Sequence, residues 1–209
     1  YADLPLREDL ELPEKPEDIA SNEEARKTYR RAAAAINDEN AKSRSERIMI
    51  SKILWIAKKY EGQPFFYCAQ LDFRGRTYPV SLALHPQGPS LCKGLLLFND
   101  GKKIEGHTAQ AWLAIAVANA WGKDKLSFED RVAWVNDNAE MLLDIADDPY
   151  QNNDWMEADS PWEALAGCFE LQGFSRDPEN FVSCLPIHQD ATQSGLQILS
   201  LLLRDPEGA

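Results

Sequence analysis

From Ser21 to Glu61 no proline or glycine interrupts the chain, and Ser21 with Glu24 has the spacing of a capping box. This predicts one long helix or a kinked pair, weakest at Asn37-Asp38-Glu39-Asn40. Over its second half Met49, Ile53, Ile56 and Tyr60 recur at helical spacing, so one stripe can pack while Lys and Arg face outward. Phe65 to Leu71 is a β-type run, broken at Arg74-Gly75-Arg76 and resumed at Thr77 to Leu84, which predicts strands joined at a tight bend. Helical signals return at Thr108 to Trp121, ended by Gly122, and at Ser127 to Ala146, ended before Pro149. Ser160-Pro161-Trp162-Glu163 supplies the cap, the N1 proline and the N3 glutamate of a third helix, which the pattern stops at Gly173. Phe181 to Leu185 then reads as a short buried strand, and Leu196 to Leu203 is too apolar for a surface loop. Two strand-bearing pieces are thus separated by a helical block over about 102–180.

Composition sets bounds on this picture. A chain of 209 residues with 44% hydrophobic content can bury a core and accommodates one or two domains. No apolar run approaches the roughly 18 residues of a membrane span, and no signal peptide precedes Tyr1-Ala-Asp, so a soluble chain is expected. Cys68, Cys92, Cys168 and Cys184 are widely spaced in apolar surroundings, which suits buried free thiols of a reducing compartment. Without a CxxC pair, and with only His85, His107 and His188, zinc is not expected.

The net charge of −12 opposes nucleic-acid binding until its distribution is read. Residues 26–59 hold ten of the 22 Lys and Arg against three acids, whereas residues 140–180 hold eleven acids and only Arg176. Phosphate contact depends on local Lys and Arg placement, so this pattern fits one nucleic-acid-facing arm and one acidic lobe; a solvated helix face gives the same pattern. Asp154, Glu157 and Asp159 stand before a helix cap, where negative charge is favourable, and their spacing does not require a metal.

Candidate chemistry concentrates at Pro186 to Gln197. Asp190 stands between the apolar strand and a turn of small polar residues that opens a helix. A carboxylate there can cap the helix, or it can hold Mg²⁺, which takes one or two carboxylates and fills its other positions with water and phosphate oxygens. At Asp72-Phe73-Arg74-Gly75-Arg76, Gly75 permits close backbone approach and the flanking arginines offer guanidinium forks that suit phosphates or a carboxylate such as Asp72. Phe73 and Tyr78 can stack on bases or enter the core.

The stretch Pro186-Ile187-His188-Gln189-Asp190-Ala191-Thr192-Gln193-Ser194-Gly195-Leu196-Gln197 resembles the first catalytic-aspartate motif of the single-subunit RNA polymerases of bacteriophages and mitochondria. Gln193 departs from a usual small residue and Ile198 from a usual His. Leu71 to Tyr78 resembles that family's Asp-x-x-Gly-Arg element, and Lys93-Gly94-Leu95-Leu96 is similar to another of its segments. Pro13 to Ile19, Arg31 to Ala35, Ser160-Pro161-Trp162 and Cys168-Phe169-Glu170 extend the similarity, in order, along nearly the whole chain.

The resemblance implies an α+β fold: a helical thumb plus the first part of a polymerase palm, made of short antiparallel strands, with a helical palm insertion. Its implied boundaries are 1–60 for thumb helices, 61–101 for the first palm piece, 102–180 for the insertion and 181–209 for the catalytic-aspartate strand and following helix. It further implies transfer of ribonucleotides from NTPs to an RNA 3′ end on a DNA template, with Asp190 and the Ala191 carbonyl binding two Mg²⁺ ions. Arg76, Arg74, Lys93 and Tyr78 are the implied nucleic-acid contacts, Arg76 foremost, while Asp72 and Arg74 hold the loop. The expected partners are DNA template, RNA transcript, NTPs and the remainder of the polymerase, including its fingers and second catalytic aspartate. The 209 residues by themselves are expected to be inactive. The wording lies closer to phage members, implying the cytoplasm of an infected host over a mitochondrion. A related DNA polymerase palm and a non-catalytic nucleic-acid-binding remnant remain the alternative readings.

Overall fold

The structure, a computed structural model, describes residues 8–189 and 195–204, with side chains left out of the description at 195–198. Asp190 and Ala191 lie outside the described residues. The described part is mixed: seven α-helices and two small antiparallel sheets, an α+β arrangement.

Helix α1 runs unbroken over Glu23–Lys59, about 55 Å at 1.5 Å per residue. Its cap is Asn22, not Ser21: the Asn22 side chain accepts from the Glu24 and Ala25 N–H groups, while the Ser21 hydroxyl donates to the Asp18 carbonyl. The expected weak point at 37–40 is instead an anchor. Asn40 is buried and clasps the backbone of Leu10, accepting from its N–H at 2.7 Å and donating to its carbonyl at 2.9 Å. Residues 8–20 therefore fold back antiparallel along α1, with Pro13, Pro16 and Ile19 half-buried. A polar side chain that breaks an apolar pattern in sequence here satisfies two backbone groups of a strap.

The other half of α1 packs, but on a row shifted from the expected one. Ile53 is fully buried with Ile50, Ile56 and Ala57 beside it, whereas Met49 and Tyr60 are exposed. This row sits on Leu84, Leu91, Cys92 and Leu96, with Phe65 and Tyr67 turned under the helix. That inward turn shortens the anticipated strands. Pairing is confined to β1 (Ala69–Leu71) and β2 (Thr77–Pro79), in the register Ala69↔Pro79, Gln70↔Tyr78, Leu71↔Thr77.

After the short helix α2 (Ser90–Leu95) and strand β3 (Lys102–Lys103) comes the helical block. Helix α3 (Gly106–Ala120) ends where Gly122 adopts φ +73°, as the sequence signalled. The second expected helix is divided into α4 (Phe128–Asp137) and α5 (Ala139–Asp147) by a kink at Asn138, whose amide donates to the Trp134 carbonyl at 2.7 Å. A 3₁₀ turn at Asp154–Glu157 leads to α6 (Pro161–Arg176), which passes through Gly173 rather than stopping there. The core of the block gathers Val117, Ala118, Val135, Leu142, Ile145, Trp155 and Cys168, with Trp121 and Trp134 packed against it. Gly167 lets α3 approach α6, since a Cβ there would lie 2.8 Å from Val117 Cγ2.

Strand β4 (Val182–Ser183) pairs antiparallel with β3, and the Phe98 N–H to Cys184 carbonyl and Ile104 N–H to Phe181 carbonyl bonds extend the zip. Entry to and exit from the helical block thus lie side by side. The strand before Asp190 is not buried as expected: Val182 is 51% exposed and its neighbours are half-buried, because β4 is paired with two residues only. Helix α7 (Gly195–Leu203) forms where the apolar run foretold structure, yet Leu199, Leu201, Leu202 and Leu203 are exposed. The thiols also divide: Cys92 and Cys168 are buried, Cys184 is half-buried and Cys68 is exposed, all of them free.

Candidate nucleic-acid interface

The β1–β2 turn is built by one carboxylate. Asp72 Oδ1 accepts the N–H groups of Arg74 and Arg76, each at 2.8 Å, while its carbonyl accepts from Gly75 N–H and its own N–H donates to the Arg76 carbonyl. Gly75 adopts φ +77°, a torsion that favours glycine, with open space where a Cβ would stand. Because Asp72 spends its carboxylate on backbone N–H groups, both guanidinium groups remain outside the turn. That of Arg74 stacks over Phe73 at 5.3 Å, and among the described residues neither Arg74 nor Arg76 has a carboxylate partner. Arg74 thus meets the loop through its backbone N–H and through its stacking on Phe73. Tyr78, opposite Gln70 on β2, is 39% exposed, and Gln87 ties the hairpin to the following loop by donating to the Thr77 carbonyl.

Lys93 occupies a different place. Its ammonium lies 3.6 Å from Glu163 Oε1, and the two line a cleft with Asn119, Ser160, Pro186 and His188. The segment that bears Pro186 and His188 leaves β4, passes this cleft and continues into Asp190. In the sequence Glu163 has the place of a capping residue only, and Ser90 carries no signal. In the structure Ser160 makes no side-chain cap, and Glu163 N–H donates to Ser90 Oγ at 3.3 Å, so the cap of α6 comes from α2. Nothing in the local sequence signals a cap supplied from 73 residues away. Arg74, Arg76 and Tyr78 therefore come together on one hairpin, and Lys93 stands apart at the cleft lined by Pro186 and His188.

The basic helix face on α1 is partly occupied. Asp9 on the strap pairs with Arg44 at 3.0 Å and Arg47 at 3.4 Å, and Lys59 stacks over Trp55 at 5.3 Å. On the acidic side, Arg176 pairs with Asp147 at 3.1 Å.

The family described as DNA-dependent RNA polymerase matches residues 103–209. The chain is 39% identical over 207 residues to T7 RNA polymerase of Escherichia phage T7, covering 99% of this chain and 23% of that protein. It is 36% identical over 210 residues to the mitochondrial DNA-directed RNA polymerase of Neurospora crassa, covering 98% of this chain and 14% of the relative. To the mitochondrial DNA-directed RNA polymerase 1 of Nicotiana sylvestris it is 37% identical over 214 residues, covering all of this chain and 21% of the relative. The chain belongs to the DNA-dependent RNA polymerase family. It spans less than a quarter of the length of these relatives.

Proposed function

We propose that this chain is part of a single-subunit DNA-directed RNA polymerase that extends RNA on a DNA template from NTPs, with Asp190 as a metal-binding carboxylate. The observation that carries this reading is the path of the chain before Asp190. Residues 181–184 are zipped to the base of the helical block, and Pro186 to His188 then runs past a cleft holding the Lys93 ammonium. A cation beside the segment that leads into the aspartate motif suits a site for a phosphate chain.

The donors fit Mg²⁺ by their chemistry, one carboxylate from Asp190 and the hard carbonyl oxygen of Ala191, with further ligands from elsewhere in the polymerase. Magnesium, when bound, supplies activation of the RNA 3′-hydroxyl and neutralisation of the pyrophosphate leaving group. Arg76 and Arg74 grip phosphates of the template or hybrid from the hairpin, Tyr78 offers a stacking face, and Lys93 reaches nucleic acid from the cleft. In this reading α1 belongs to the thumb, residues 61–101 and 181–209 to the palm, and 102–180 to a palm insertion. The wording of the motifs, closer to phage members, is the ground for reading the host cytoplasm as the place of action, phage and mitochondrial relatives being matched alike at 39% and 36–37% identity.

The test is template-directed elongation by the full-length parent with Mg²⁺, comparing wild type with Asp190→Ala and Asp190→Asn. Loss of elongation on the order of a thousandfold, with DNA binding retained, is the expected result for a metal ligand. Unchanged elongation leaves Asp190 as a helix cap and removes the reading.

A further inference from the structure

Glu163 presents an unusual carboxylate. Its side chain is 19% exposed and its Oε1 is buried with no hydrogen-bond donor among the described residues, the nearest cation being Lys93 Nζ at 3.6 Å. Buried polar atoms are nearly always paired, so an unsatisfied one calls for a reason beyond folding. Helix-dipole attraction favours acid in the first turn of α6, but it does not require this oxygen to turn inward toward α2.

Three contacts fix where Lys93 stands relative to that carboxylate. Ser90 accepts the Glu163 N–H; Gly94 lies so close to α6 that a Cβ would sit 2.5 Å from the Trp162 carbonyl oxygen; and Trp162 itself joins the cluster beneath α1. Helices α2 and α6 are therefore in contact on either side of the pair. At 3.6 Å the ammonium is guided without being consumed, since a lysine has three N–H donors to offer. His188, two residues before Asp190 in the sequence, lines the same cleft.

We propose that Glu163 is a positioning residue that holds the Lys93 ammonium in this cleft, ready for a phosphate of the nucleic acid or nucleotide that the polymerase binds. The inference rests on the polymerase reading above and adds to it a second partner for Lys93. A free lysine side chain loses considerable rotamer entropy when it binds, and a carboxylate that has already confined it lowers that cost at the moment of phosphate binding. Glu163 acts through Lys93 and touches no substrate itself.

The experiment is a double-mutant cycle in the full-length polymerase with Lys93→Met, Glu163→Gln and the pair, reading kcat and KM for NTP, affinity for an RNA–DNA scaffold, and Tm. Glu163→Gln is expected to lower kcat/KM roughly three- to tenfold with little change in Tm, and to have no further effect once Lys93 is Met. Glu163→Asp is expected to fall between wild type and Glu163→Gln. Losses that multiply in the double variant, or a Glu163→Gln enzyme equal to wild type, overturn the proposal. If Glu163→Gln fails to fold, Glu163→Asp in the wild-type and Lys93→Met backgrounds closes the same cycle. Asp190→Asn run in parallel separates the two readings: an inactive Asp190→Asn with multiplying losses removes only the role of Glu163, whereas an active one removes the polymerase site as well.

Discussion

Cys168 and Cys68 are the same residue type in similar apolar sequence, and the fold treats them oppositely. Cys168 is fully buried in the helical block, and burial alone pushes its thiol from the usual 9.0 up to about 12. Cys68 is exposed beside β1. A thiolate is the reactive form, so a disulfide reagent at mildly alkaline pH is expected to modify Cys68 promptly and Cys168 only on unfolding, as mass mapping of the adducts can check. The same shift links stability to pH. The unfolded chain loses this proton near 9.0 while the folded chain keeps it to about 12, so the contribution is complete below 9 and is lost as pH rises through that window. Tyr67, also raised to about 12 by burial and then by Cys92, adds in the same direction from 10.0. The alkaline decline in unfolding free energy is expected to be shallower in Cys168→Ala, measured by denaturant titration from about pH 8 to about pH 11.

At the scale of elements, α1 illustrates how a weak stretch is made safe. Its middle carries Asn37, Asp38 and Asn40, poor helix formers, yet the helix is continuous because Asn40 trades hydrogen bonds with the Leu10 backbone. Asn40→Ala strands both Leu10 groups and is expected to cost about 1–3 kcal/mol, read as loss of hydrogen-exchange protection at the Leu10 amide with α1 itself still protected. Equal protection in wild type and variant discounts the clasp. The strap is unreadable from sequence because its partner lies 30 residues away. The β1–β2 turn is legible, since Asp-x-x-Gly is local chemistry: Asp accepts nearby N–H groups and Gly takes the positive φ. The β-type runs overstate strand length for the opposite reason, tertiary packing having drawn Phe65 and Tyr67 under α1.

For the whole molecule, the charge asymmetry along the sequence becomes an asymmetry between α1 with its hairpin neighbour and the acidic helical block. Salt bridges such as Asp9–Arg44 are exposed, contribute little to stability and can yield to phosphate. Arg76, whose guanidinium has no carboxylate partner among the described residues, gives the clearest test. Arg76→Gln in the full-length protein is expected to weaken hybrid binding across sequences alike and to lower the slope of log K against log salt by about one. An unchanged slope places Arg76 away from phosphate. Exposed apolar residues on α7, and Phe66 and Phe73 by the hairpin, fit a chain whose relatives are four or more times longer.

What the sequence determined by itself was local or collinear: helix and turn signals, the division into strand-bearing pieces around a helical block, and family membership, which rests on motifs in order along the chain. Contacts between partners distant in sequence came from packing: the Asn40 clasp, the Ser90 cap on α6, the β3–β4 zip that returns the chain to the start of the helical block, and the Lys93–Glu163 pair. Periodicity reports which face of an element is apolar, but not which backbone group a polar side chain will meet across the core, because that is fixed by how the elements pack.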